Sequence, residues 1–155
     1  MEVKQIPSKL YYCAEKYLII PEIPGFAEEI MDPLYKDVES LGLELNGATE
    51  FIYFNSDGNL YKPFQLIIAF PVKESKPSKS DFFFLESMPF SCVSIDYKGP
   101  MTNIGKAWGD LVRQALNQGY QLISQGREVY KKWVSHESEE NITELQMGIV
   151  AKKII

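Results

Sequence analysis

Apolar residues at Ile104, Ala107, Trp108, Leu111, Val112 and Ala115 recur three and four apart, which predicts an amphipathic helix over about Asn103 to Asn117. Gly99-Pro100 precedes it, Thr102 or Asn103 can cap it, and Gly119 follows it. A second stripe, Phe26, Ile30, Leu34, Val38 and Leu41, predicts an earlier helix that stops near Gly42. Pro33 after Asp32 predicts a late start or a kink there, because proline lacks the amide donor and crowds the preceding turn. Strand patterns flank both helices. Tyr17–Ile20, Glu50–Asn55 and Gln65–Val72 surround the first; Phe82–Glu86, Cys92–Tyr97, Arg127–Val134 and Ile142–Val150 surround the second. The polar stretch 73–81 contains Pro77 and three lysines, and reads as a solvated seam between halves.

The order strand–helix–strand–strand therefore occurs twice, over about residues 10–75 and 80–152. Leu18–Gly25 takes the place of Ser91–Gly99, each read as a strand ending in glycine before a helix, and Phe64–Val72 lies over Ile142–Val150. A module this thin cannot bury both its sheet and its helix alone. The expected architecture is α+β: two such modules forming one larger antiparallel sheet, with two main helices and a cleft near the pseudo-twofold axis, as one domain over residues 1–155.

Composition narrows the chemistry. The chain has 155 residues and a net charge of -5, with 45% hydrophobic and 24% charged residues, ordinary for a folded globular protein. Arg113 and Arg127 are the only arginines, which argues against direct nucleic-acid binding, since that needs a concentrated basic footprint. The apolar run nearest the N-terminus, Tyr17 to Ile20, is too short for a signal peptide or a membrane span, so a cytoplasmic protein without membrane contact is expected. Cys13 and Cys92 stand far apart and read as reduced, buried thiols. His136, the single histidine, lies in a polar stretch, so neither a histidine triad nor a metal site has material, and no cofactor is expected. What stands out is 13% aromatic residues: nine Tyr, nine Phe and two Trp. A lined pocket is one explanation of the surplus.

The last strand carries the candidate acid. Strand parity puts Thr143, Leu145, Met147 and Ile149 on one face, with Ile142, Glu144, Gln146 and Gly148 on the other. In the aligned first-half strand both faces are apolar, Leu66, Ile68 and Phe70 against Ile67 and Ala69. Glu144 falls at the position of Leu66. If buried there, its pKa should rise or a cation should sit against it; the alternative is an ordinary exposed glutamate. Tyr53, Tyr97, Trp108, Tyr130 and Trp133 fall on neighbouring elements, with Ile68 and Phe70 as apolar lining. Rings around one carboxylate suit a flat or cationic organic ligand; the alternative is plain packing with surface hydroxyls.

The run Met88–Pro100, the helix Ile104–Leu111, then Glu128-Val129-Tyr130 and Thr143-Glu144-Leu145, resemble the GyrI-like small-molecule-binding family, which also supplies the effector-binding domain of AraC- and MerR-type bacterial regulators. The resemblance covers about residues 86 to 150, and the first half only through the repeat. It implies the duplicated strand–helix–strand–strand fold with one curved antiparallel sheet and a central ligand cleft. It also implies that Glu144 corresponds to the pocket glutamate that meets lipophilic cations in multidrug-sensing members, with Tyr130 at the Glu-x-Tyr position and Trp108 as the aromatic of the second helix.

Three functions follow. The first is a stand-alone binding module that senses or sequesters a hydrophobic or cationic small molecule. The chain read this way has no room for a helix-turn-helix reader, so a regulatory output would need a partner. The second is a small hydrolase of electrophilic compounds, with Glu144 as general base and Tyr97 or Tyr130 as hydrogen-bond donor. The third is a gyrase-interacting inhibitor, for which the modest negative charge is a thin basis.

Overall fold

The computed structural model describes residues 1–151, so Lys152, at the end of the second half as read above, lies outside the described residues. The chain forms β1 (Glu2–Ile6), β2 (Leu10–Leu18), α1 (Ile23–Ser40), β3 (Glu50–Phe54), β4 (Phe64–Pro71), β5 (Phe83–Glu86), β6 (Phe90–Lys98), α2 (Ile104–Asn117), β7 (Leu122–Lys132) and β8 (Ile142–Ile149). All the strands form one antiparallel sheet in the order β1-β6-β8-β7-β3-β4-β2-β5. That order reads the same from both ends: β2-α1-β3-β4 maps onto β6-α2-β7-β8 about an axis between β3 and β7. The duplicated α+β architecture is present, and the edge strands β1 and β5 each pair with the other half.

This exchange forces curvature. In a flat sheet six strand spacings, about 29 Å, would separate β1 from β2. Only Pro7, Ser8 and Lys9 join them, a reach of about 14 Å. Ser87, Met88 and Pro89 make the equivalent crossing from β5 to β6. The sheet must therefore curl until its flanks approach. The two crossings are tied together where they meet: the Ser87 amide donates to the Lys9 carbonyl at 2.8 Å, and the Lys9 amide to the Ser87 Oγ at 2.9 Å.

The helices lie on the other face. Phe26, Leu34 and Val38 of α1 pack on Tyr12, Leu66, Ile68 and Phe70, while Leu111 and Ala115 of α2 pack on Val93, Leu145 and Ile149. These are the stripes the helical spacing predicts. Because α1 rests on β2, and α2 on β6 and β8, the central strands β3 and β7 floor the space between them.

Several element boundaries differ from the sequence reading. The first long strand is β2, not Tyr17–Ile20; Tyr11 to Ala14 are buried on both faces and so show no alternation. Ile20–Glu22 is a turn of 3-10 helix and Gly25 lies in the first turn of α1, so Leu18–Gly25 is not the counterpart of Ser91–Gly99. Pro21 and Pro24 imitate a strand exit there, yet proline suits a helix start, where its missing donor is not needed. α1 also runs through Pro33: Pro33 and Glu29, whose carbonyl loses its partner, are both exposed, so water can satisfy it. β7 begins at Leu122 rather than Arg127, its first residues masked by a register shift between Leu122 and Gly126. β1 was not anticipated. Among the described residues no helix is long and apolar enough to cross a membrane.

Candidate functional site

On β7, parity turns Gly126, Glu128 and Tyr130 toward the helices and Arg127 and Val129 away. The β3 ladder sets Tyr53 opposite Gly126 and Phe51 opposite Glu128, so the two central strands deliver one acid and two phenols to the helix side of the sheet. The Tyr53 hydroxyl donates to Glu128 Oε1 at 2.8 Å and the Tyr130 hydroxyl to the same oxygen at 2.5 Å. From above, Trp108 of α2 donates its indole N–H to Glu128 Oε2 at 2.7 Å. The indole comes this low because Gly126 has no side chain: a Cβ there would stand 3.2 Å from the ring. Phe51 meets Tyr130 edge-to-face at 4.9 Å, and Tyr53 meets Trp108 the same way at 6.5 Å.

Glu128 is 5% exposed. Burial pushes its carboxyl above the ordinary range, and the donors Tyr130, Trp108 and Tyr53 oppose the shift without cancelling it. Burial, then the Glu128 charge, holds both Tyr53 and Tyr130 well above the usual phenol range, so they remain donors. Among the described residues no lysine, arginine or histidine forms an ion pair with Glu128. All three partners are neutral, so the negative charge is solvated but not neutralised.

The other candidate residues divide by location. Tyr53, Tyr130 and Trp108 converge, but on Glu128 rather than Glu144. Glu144 faces away from the helices, between Lys4 at 3.1 Å, Lys131 at 3.0 Å and the Gln146 amide at 2.6 Å. The cause is a slip of one residue in the internal alignment, which exchanges the faces of a strand. Leu66 pairs with Tyr53 and faces the helices; Glu144 pairs with Val129 and does not. Of the outcomes weighed for a buried Glu144, cation pairing is the one realised. Burial would raise its pKa, but the contacts from Gln146, Lys131 and Lys4 outweigh this and lower it.

Ile68 and Phe70 are buried in the core beneath α1. Tyr97 is turned to the α2 side, where its hydroxyl donates to the Pro100 carbonyl at 2.7 Å. It lines an open groove of about 660 Å³ at the start of α2, with Lys98, Asn103, Lys106 and Asp110. Trp133 is 51% exposed and meets Tyr130 at 5.8 Å. Cys13 and Cys92 are buried, and burial pushes their thiols up to about 12 and about 11. Among the described residues no three His, Cys, Asp or Glu side chains cluster as a metal would need.

Glu144 thus ties β1 and β7 to β8, and Glu144→Gln should lower stability by about 1 kcal/mol, less at high salt because both lysines are partly solvated. Its lowered pKa sets the sign with pH. The contribution is present above the ordinary carboxylate range and disappears as pH falls through the lowered native value. Urea unfolding of parent and variant at neutral and acidic pH should converge at the acidic end; a constant difference would refute this role.

No family model and no curated protein matches the sequence. Solved structures do. The C-terminal domain of EcmrR superposes with a TM-score of 0.82 at 22% identity, covering 96% of this chain and 96% of that one. The chains share a fold. The EcmrR chain of a DNA complex in EcmrR-RPo is similar at a TM-score of 0.79 and 23% identity, and this chain spans only 56% of it. SAV2435 bound to tetraphenylphosphonium matches at a TM-score of 0.73 and 13% identity, over 96% of this chain and 93% of that one. A hydrolase encoded by lin2189 from Listeria innocua matches at 0.62 and 11% identity, over 96% and 91%. The structure has the α+β form that the GyrI-like resemblance implied.

Proposed function

We propose that the cleft over β3 and β7 binds a lipophilic organic cation, with Glu128 as its counter-ion and Tyr53, Tyr130 and Trp108 as its aromatic walls. One observation carries this: a carboxylate buried among rings, held by three neutral donors and left, among the described residues, without a positive partner. A hydrated metal ion would have to shed its water for rings. A large organic cation loses little hydration on entry and gains cation–π attraction of up to about 2 kcal/mol per desolvated ring. The shared fold of SAV2435, which is bound to tetraphenylphosphonium, adds support from a distant relative in structure. The chain then acts as a sensing or sequestering module. Any transcriptional output would come through a further segment or partner.

The test is a calorimetric titration with tetraphenylphosphonium at several pH values. That cation cannot titrate, so pH acts only through the protein. Affinity should fall as pH drops through the raised pKa of Glu128, because the protonated acid has no charge to offer. Affinity that does not change down to the ordinary carboxylate range would sink the proposal.

The hydrolase reading has less behind it. With Glu144 on the opposite face, Glu128 would have to be the base, and both tyrosine protons already serve that carboxylate instead of an incipient oxyanion. Turnover of activated esters or epoxides, lost in Glu128→Gln, would revive it.

A further inference from the structure

Two orphaned polar atoms stand on neighbouring strands, on the side of the sheet away from the helices. Arg127 Nε and Gln146 Oε1 are buried without a hydrogen-bond partner; the third such atom among the described residues, Thr143 Oγ1, belongs to the helix side. Arg127 is 1% exposed and Gln146 3%, and the β7–β8 ladder sets them directly opposite each other. We infer that these two side chains hold one resident water molecule, which accepts from Arg127 Nε and donates to Gln146 Oε1. The site lies on the opposite face from the cation cleft and does not depend on it.

The chemistry of the two atoms defines the occupant. Gln146 Nε2 donates to Glu144 Oε2 at 2.6 Å, and a carboxylate cannot return that bond, so the free atom of the amide is the acceptor Oε1. Arg127 spends NH1 on the Tyr11 hydroxyl at 3.2 Å, and its guanidinium lies over the Phe90 ring, so Nε–H remains a donor. An anion could take the Arg127 proton but would repel Oε1, and a cation would do the reverse. A neutral hydroxyl does both. Direct cross-strand neighbours have Cβ atoms about 5 Å apart, a gap for one small molecule. Ile52, Tyr11 and Phe90 beside Arg127 are 1%, 0% and 3% exposed, so nothing larger than water has room.

The repeat shows that packing alone does not call for this pair. In the first half, the strands that correspond to β7 and β8 carry Ile52 opposite Ile67 at the same place, and Ile52 is itself the β3 neighbour of Arg127. The fold thus fills the position with aliphatic side chains once, and once with a guanidinium and an amide that are costly to bury unpaired. The water makes their polar contacts one unbroken chain. Lys9 and Tyr11 donate to Glu50, Arg127 to Tyr11 and to the water, the water to Gln146, and Gln146, Lys4 and Lys131 to Glu144. The charges at the chain crossing are thereby coupled to those that fasten β1.

The test reads the Arg127 Nε–H proton by nitrogen-edited NMR. Arg113 and Arg127 are the only arginines, so Arg113→Lys leaves a single Nε–H signal. That signal should show a cross-peak to water with the sign of a long-held molecule, and the cross-peak should vanish in Gln146→Ile. No cross-peak with Gln146 in place would overturn the site. One that survives Gln146→Ile would belong to the Tyr11 hydroxyl and overturn it as well. Thermal unfolding is an independent check. Arg127→Ile and Gln146→Ile, which copy Ile52 and Ile67, should each lower the melting temperature by about 5 °C. The double variant should lose no more than the worse single one, because the bridge is broken only once; additive losses would refute it. Inorganic phosphate at constant ionic strength should move parent and double variant alike, and stabilisation of the parent alone would give the site to an anion. Should Arg127→Ile fail to fold, the NMR comparison of Arg113→Lys with and without Gln146→Ile decides.

Discussion

Glu128→Gln should weaken tetraphenylphosphonium binding by about a hundredfold. The estimate follows from one charge about 6 Å from the cation centre at an effective dielectric of about 20, worth about 3 kcal/mol. The change is nearly isosteric. The glutamine carbonyl can still accept from Tyr53 and Tyr130, so the floor of the cleft should persist, while the amide Nε2 would face the Trp108 N–H, donor against donor. Loss of affinity would then report the missing charge and not a collapsed site. Glu144→Gln is the matched control. It removes the same charge from the same sheet on the face away from the helices, among its own lysines, and should leave the titration unchanged. Equal affinities for all three proteins would rule out Glu128 as the counter-ion; loss in Glu144→Gln alone would move the site to the other face.

The second large effect concerns stability. Lys9→Met should lower stability by about 2 to 3 kcal/mol, or about 4 to 12 °C in melting temperature. Glu50 is 0% exposed on the face away from the helices, and accepts from Lys9 Nζ at 2.9 Å and from the Tyr11 hydroxyl at 2.9 Å. Arg127 reaches the same phenol at 3.2 Å and lies over the Phe90 ring, 4.2 Å from its centroid. Lys9 belongs to one crossing segment and Phe90 follows the other. The buried charges therefore hold down the two connections that let the sheet curl. Methionine keeps the bulk of the lysine stem but leaves the carboxylate without its ion pair, and the exposed third of the lysine side chain moderates the cost. Adding Glu50→Gln should recover most of the loss, since an amide needs no counter-charge. Thermal unfolding in which the single variant equals the parent, or the double variant is the worse of the two, would show that the pair does not hold the crossing.

Much of the fold is legible in the chain. The α2 stripe from Ile104 to Ala115 is visible because the helix has one wet face, and a wet face is what makes periodicity readable. Strands β3, β4 and β8 are visible as apolar runs bounded by turn residues. Where both sides of the backbone are buried, as from Tyr11 to Ala14, the period vanishes and the start of β2 is lost with it. β7 shows the same failure from another cause, since its register shift breaks the alternation near Gly126.

For the site, local sequence determined the ingredients. Tyr53, Tyr130 and Trp108 do come together in the structure, because strands and helices placed side by side bring aromatic positions together. Glu128, two residues before Tyr130, carried the needed signal: equal parity puts both on one face. The low similarity between halves allowed an alignment one residue out, and a strand does not forgive that slip. Sequence by itself thus settled the repeated strand–helix–strand–strand order, the helical faces and the aromatic surplus, all of which rest on near-neighbour spacing. Only the tertiary structure decided which acid meets the rings and what closes the curled sheet. Both depend on cross-strand register and on chain crossings, which couple residues 75 (Tyr53 and Glu128) and 78 (Lys9 and Ser87) positions apart and leave no periodic trace in either segment.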